Sequence, residues 1–177
     1  MNRIEENWKY IVSVYKHKLA IKKLFNKLIT EPNLQAELDM QIKLHDSDEL
    51  LLYLYLPGPQ ASAYHKKTVA HHWENNLEKK PLDIVESILD FESSAMTKLS
   101  KQQNAYDTIH EFYSNRMSIF EPYLEKYGLN YSYTLEADPM LLRLEPTILQ
   151  VLAEIDFWRC CDKAHFHAVQ QYIKGSM

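Results

Sequence analysis

The sequence predicts an all-α fold, and three observations carry that reading. Apolar residues recur at three-four spacing over nearly the whole chain. Only 3 of the 177 residues are glycine, too few for the tight turns of an all-β protein or for a glycine-rich phosphate loop. Pro32, Pro57, Pro59, Pro81, Pro139 and Pro146 punctuate the periodic stretches, as expected of a residue that lacks an amide donor and restrains its predecessor. Apolar side chains make up 46% of the chain, which suits one domain, or a domain with a helical extension, around a sizeable core.

Each element follows from its own signals. Residues 3–29 form the first helix, with Tyr10, Val14, His17, Ile21, Leu24 and Leu28 on one stripe; His17 therefore sits in an apolar row. The break at 30–33 ends it. A second helix over 34–44 turns Leu34, Leu38 and Ile42 inward, and His45-Asp46 lies at its C-terminal end. Residues 49–56 are apolar or aromatic and helical, and Pro57-Gly58-Pro59 stops them. A fourth helix is expected over 61–77 and a fifth from Pro81, a first-turn residue, to about 99. A sixth, over 103–127, carries Tyr106, Ile109, Tyr113, Met117, Phe120 and Leu124 on one face and ends at Gly128. Residues 130–136 suit a loop or a short edge strand. Asp138-Pro139 and Glu145-Pro146 open two more helices, the last running unbroken to about 174. The organisation expected is a helical domain over 1–128 with a helical extension, 129–177, packed on it.

Composition also excludes function classes. A formal charge of −4 and a pI near 6.1 leave no electrostatic footprint for duplex nucleic acid. Residues 2–10 are charged and aromatic, unlike a signal peptide, and no apolar run is long enough to span a bilayer. The two cysteines, Cys160 and Cys161, are neighbours and read as free thiols, one in the core and one half-exposed. A cytoplasmic location is the expectation.

Histidine is where the sequence is informative. Of 8 histidines, three fall in "YHKKTVAHHWE". On a regular helix His65 and His72, seven apart, project the same way. His17, His45, Asp46 and Asp90 come from three different helices, and a divalent ion needs ligands from separate elements. Imidazole with carboxylate suits Mn, Fe, Zn or Co better than Mg. Asp83, Glu86 and Asp90 share a helix face. Taken singly, each feature has a plain alternative: a hydrogen-bonded core histidine, a solvated acidic edge, an exposed helix end. His165 and His167 face opposite sides of their helix and read as surface. Trp158, Phe157 and Phe166 suit packing of the C-terminal segment onto the domain, or onto a second subunit in a homo-oligomer.

The order His ("VYKHKLAIKKLF"), His-Asp ("KLHDSDELLLYLY"), His-x5-His-His-Trp ("YHKKTVAHHWE") and a late Asp ("IVESILDFESS") resembles the HD-domain superfamily of metal-dependent phosphohydrolases. It is most similar to a small bacterial and phage branch, over roughly residues 8–115. The resemblance implies an HD-like helical bundle with His17, His45, Asp46 and Asp90 as ligands of a first metal. It implies His65, His71 and His72 as ligands of a second metal or of substrate, with Glu86 in support. Asp46 would orient the nucleophile, and His72 or Glu86 would steady the phosphoryl charge or protonate the leaving oxygen. The expected substrate is a nucleotide or small phosphomonoester. One departure matters: relatives carry a lysine soon after His-Asp, where this chain has Ser47-Asp48-Glu49. Lys18, Lys22, Lys66, Lys67 and Arg116 are candidate replacements. Two further readings stand beside the hydrolase: an HD-type di-iron oxygenase using the extra histidines, and a non-catalytic helical module that binds metal or a partner.

Overall fold

The computed structural model describes residues 2–73, 75–97, 114, 117–127 and 137–177, and among these every regular element is an α-helix. They are α1 (Arg3–Leu28), α2 (Pro32–Leu44), α3 (Ser47–Tyr55), α4 (Gly58–Thr68), α5 (Pro81–Thr97), α6 (Met117–Tyr127), α7 (Pro139–Arg143), α8 (Ile148–Cys161) and α9 (Lys163–Ser176). The all-α expectation is met. No described helix is long and apolar enough to cross a membrane. Most of the expected sixth helix, including Tyr106, Ile109, Tyr113 and Arg116, lies outside the described residues, as do Gly128 and the 130–136 stretch.

The chain divides into two compact units. The first comprises Met1–Tyr15, Leu44–Val69 and Glu145–Met177, the second Lys16–Lys43 and Ala70–Leu144. In the first, α3 is packed by α4, α8 and α9, and every residue from Ser47 to Leu54 is buried. A helix buried on all sides must have its end carbonyls satisfied internally. Asn7, itself buried, does this by donating from Nδ2 to the carbonyls of Tyr53 (2.8 Å) and Leu56 (2.7 Å). Tyr10 stacks on Tyr53 with ring centroids 5.4 Å apart. Its ring approaches Gly58 so closely that a Cβ there would lie 2.8 Å from Tyr10 Cε2, which is why the α3–α4 turn carries glycine. From α8, Val151, Ile155 and Trp158 are buried at helical spacing, and Tyr172 of α9 stacks on Tyr64 of α4 at 3.7 Å. The capping box of Thr147 and Gln150 starts α8.

The second unit is built on one apolar cluster. Ala20, Ile21, Leu24 and Phe25 of α1 meet Leu34, Leu38 and Ile42 of α2, and Ile84, Val85, Ile88 and Leu89 of α5. Leu34, Leu38 and Ile42 are the inward stripe expected of α2, and Ile21 and Leu24 lie on the stripe expected of α1, whose Tyr10 is instead exposed. Asp138 caps α7 by accepting from the amides of Met140 (2.9 Å) and Leu141 (3.4 Å), and pairs with Lys23.

Three local expectations are corrected. The helix expected to reach residue 77 ends at Thr68: Thr68 Oγ1 donates back to the Tyr64 carbonyl (2.9 Å), and Val69 turns extended (φ −102°, ψ 133°). The described residues of 69–80 contain no helix, so His71 and His72 sit outside the helices. The last helix is interrupted at Asp162, which ends α8 and whose side chain accepts from the His165 amide (3.1 Å) to start α9; aspartate competes with the backbone for such bonds. Both cysteines are exposed rather than one in the core, since the faces of α8 that bury Trp158 leave Cys160, Cys161 and Phe157 outward.

Candidate metal centre

In the first unit the turn between α2 and α3 brings His45 and Asp46 together with His65 of α4. All three are buried. His45 Nε2 lies 3.3 Å from Asp46 Oδ2, and His65 Nε2 lies 3.1 Å from Asp46 Oδ1, so one carboxylate serves two imidazoles. On its other edge His65 Nδ1 meets both oxygens of Asp48, at 2.9 and 3.0 Å. Glu49 completes the acidic set; its Oε1 accepts from Tyr53 Oη at 2.9 Å.

The backbone at Asp46 is unusual. Its φ of 54° and ψ of 16° are left-handed, the one positive φ among described non-glycine residues. Aspartate at a helix N-cap ordinarily bonds the amides of the first turn. Asp46 forgoes that bond and turns its carboxylate to the histidines instead. Strain of this kind persists only where the surroundings over-determine it, and it gathers at functional sites.

Charge explains how such a cluster survives burial. Burial pushes the Asp46 carboxyl up, but the neighbouring His45 and His65 outweigh it and hold the group well below the usual carboxylate range. Burial likewise raises Asp48, and His65 again wins and lowers it. For His65 burial favours the neutral ring, yet Asp48 and Asp46 together lift its pKa well above the ordinary value. Glu49 goes the other way: burial dominates and raises it. Asp48 and Glu49 also occupy the first turn of α3, where the helix dipole favours negative charge.

The second unit contains pairs of the same chemistry. His17 Nε2 lies 2.7 Å from Asp90 Oδ1. His71 Nδ1 lies 3.4 Å from Glu86 Oε1, both side chains buried, and the His72 ring is 4.5 Å from that of His71. Glu86 also accepts from Gln41 Nε2, which donates to Asp83 at 3.0 Å. Ser87 Oγ donates to the carbonyls of His71 and Asp83, tying the loop to α5. The acidic face of α5 is therefore a hydrogen-bonded wall at Glu86.

Among the described residues, buried and half-buried His, Asp and Glu side chains are grouped closely enough to hold a metal ion. Within the first unit, Asp46 and His65 place ligand atoms within 4.8 Å; within the second, His17 with Asp90, His71 with Glu86, and His71 with His72 do the same. The donor set is imidazole nitrogen and carboxylate oxygen, which fits Mn, Fe, Zn or Co. The sequence pointed to seven ligand positions, and each has a partner of ligand type in its own unit. It marked Asp48 and Glu49 only as a departure from the resemblance, not as partners of the site, and did not point to Gln41 or Lys79. The one signal for the first two was the run "SDELLLYL", in which acids open a helix too apolar to be anything but buried.

Of the candidate lysines, Lys18 is buried and donates to the Lys43 carbonyl (3.1 Å), at the C-terminal end of α2, while Lys22, Lys66 and Lys67 are exposed. His165 lies half-buried with its ring 5.3 Å from that of Trp158, and His167 is exposed. Comparison with protein-family models, curated proteins and solved structures found no match to this chain.

Proposed function

We propose that this chain is a metal-dependent hydrolase of HD-like type, acting on a nucleotide or another small phosphomonoester. The observation that carries the reading is the pairing of His65, buried, with Asp48 on Nδ1 and Asp46 on Nε2. An imidazole whose far nitrogen donates to a carboxylate is fixed in tautomer and orientation, which is how ligating histidines are held in metal proteins. Asp46, strained and turned from its capping role, is the second support.

In this reading Asp46, His45 and His65 are one donor set, and His71, His72 and Glu86 on the second unit are another. A bound ion supplies a Lewis acid for a phosphoryl oxygen and lowers the pKa of water toward neutrality. Asp48 keeps His65 Nε2 directed at Asp46. Glu49, whose carboxyl is raised by burial, accepts from Tyr53 beside this donor set.

A second reading has its own observation. No Lys or Arg among the described residues of the first unit is buried, and Glu49 is buried beside the cluster instead. That favours a helical protein that binds metal without turning over a phosphoester.

Elemental analysis of untagged protein beside Asp46→Asn, followed by a phosphate-release assay over nucleotides and phosphomonoesters, tests both. The hydrolase reading expects roughly one or two equivalents of metal per chain, reduced in the variant, with metal-dependent phosphate release. Metal without phosphate release selects the second reading. Absence of metal after reconstitution with each of Mn, Fe, Zn and Co overturns both.

A further inference from the structure

Residues 69–80 carry two of the expected ligands, His71 and His72, yet the described residues among them form no helix to hold these side chains. Backbone carbonyls of such a loop still need partners. Lys79 supplies them. Its Nζ donates to the carbonyls of Ala70 (2.8 Å) and His72 (2.6 Å) and to Asn75 Oδ1 (3.1 Å). An ammonium has three protons and no acceptor, so a single Lys79 can serve all three of these oxygens. The same group lies 5.3 Å from the centroid of the Trp73 ring, within cation–π reach, and Trp73 packs against the apolar cluster of the second unit. Lys79 is half-buried where its neighbours Glu78 and Lys80 are exposed.

The acceptors bracket the histidines. Ala70 precedes His71, the second carbonyl is that of His72, and Asn75 lies beyond Trp73. With the Ser87 bond to the His71 carbonyl, every peptide from Ala70 to His72 has its oxygen tied to a side chain from outside that tripeptide. Two imidazoles on consecutive residues keep a set direction only if those peptide planes cannot rotate.

We propose that Lys79 is the positioning residue of the histidine loop: it fixes the peptide planes of residues 70–72 so that His71 and His72 are presented together as metal ligands. The inference rests on the metal-binding reading above and extends it to a residue that touches neither metal nor substrate. Lysine suits the task because its ammonium is compact and its donors radiate to three separate oxygens, whereas arginine offers a planar fork.

The test uses the full-length untagged chain, as wild type, Lys79→Met and Lys79→Arg. Hydrogen exchange of residues 70–79 is measured without metal, and Co²⁺ affinity and the visible ligand-field spectrum with it. Lys79→Met is expected to raise exchange in that loop, to weaken Co²⁺ binding about 10- to 100-fold, as loss of an outer-sphere support does, and to alter the spectrum. Lys79→Arg, which keeps the charge but offers a planar fork in place of radiating donors, is expected to recover only part of the affinity and of the wild-type band shape. Unchanged affinity and spectrum in Lys79→Met, with the loop exchanging faster, overturn the inference while leaving the metal reading intact. Failure of the wild type to bind Co²⁺ sinks the metal reading and this inference with it. Should Lys79→Met not fold, Asn75→Ala withdraws one of the three acceptors and carries the same comparison at smaller amplitude.

Discussion

Replacing Asp48 with asparagine removes the charge that orients His65 while keeping size and hydrogen-bonding shape. Asp48 and His65 are both buried, and both carboxylate oxygens lie within 3.0 Å of Nδ1. Breaking a buried pair by removing one partner costs about 3–5 kcal/mol when the remaining charge is stranded. Here it is not stranded, because Asp46 stays 3.1 Å from Nε2 and the imidazole can shed its proton. The metal-free protein should therefore lose about 2 kcal/mol, in the range of one charge-assisted hydrogen bond. Metal affinity should fall about 10- to 100-fold, because the ring is no longer held in its ligating tautomer. At a metal concentration about 100 times the wild-type Kd, the wild type gains about 2.7 kcal/mol from binding. The variant at that concentration should gain only about 1.4 to 0.4 kcal/mol. Denaturant unfolding with and without metal, beside a chelator competition, measures both numbers. A variant that binds metal as tightly as the wild type would refute the role given to Asp48, whatever its stability.

Two further outcomes follow from the geometry. His65 has its pKa raised by Asp48 and Asp46 against the opposing effect of burial. Its contribution to the metal-free fold is therefore full below the unfolded value, about 6.5, and is lost as pH rises through the higher folded value. A metal ion takes the place of that proton, so metal affinity should climb over the same range and binding should release protons; calorimetry in buffers of differing ionisation enthalpy reads this, and proton-neutral binding would contradict it. In the α3–α4 turn, Gly58→Ala places a methyl 2.8 Å from Tyr10 Cε2. Tyr10 is 37% exposed and can swing away, so the cost should be the lost stack on Tyr53, about 1 kcal/mol. A double-mutant cycle with Tyr10→Ala should be strongly non-additive, and simple additivity would show that the ring is not what excludes the methyl.

Where the chain breaks at proline, the helices were legible: α1 ends before Pro32, α5 begins at Pro81 and α7 at Pro139, because proline fixes φ and lacks the amide donor that a helix interior uses; Pro122, inside α6, is the exception among the described residues. The buried stripes of α1 and α2 were legible for a related reason. Ile21, Leu24, Leu34, Leu38 and Ile42 are inward because helical period alone sets which residues share a face. The end of α4 at Thr68 carried no such mark. "HKKTVAHHW" has neither glycine nor proline, and its spacing suits a longer helix; Ser87, Lys79 and Glu86, distant by 7 to 16 residues, hold the loop instead. The interruption at Asp162 was hidden in the same way, since a capping aspartate and a surface aspartate look alike until the neighbouring amides are placed.

Asp46, Asp48 and Glu49 show the division most clearly. By itself the sequence determined that these residues follow a histidine at a helix boundary and open an apolar helix. Local chemistry decides both, through period, propensity and the proline stop at residue 57. Only the tertiary structure decided that Asp46 adopts a left-handed backbone and gives up its cap, that Asp48 rather than solvent meets His65 Nδ1, and that Glu49 is buried against Tyr53. Each depends on a partner far along the chain or on the loss of water around a charge. The free energy of a buried ion pair is set by the surroundings it is buried in, which no stretch of sequence contains.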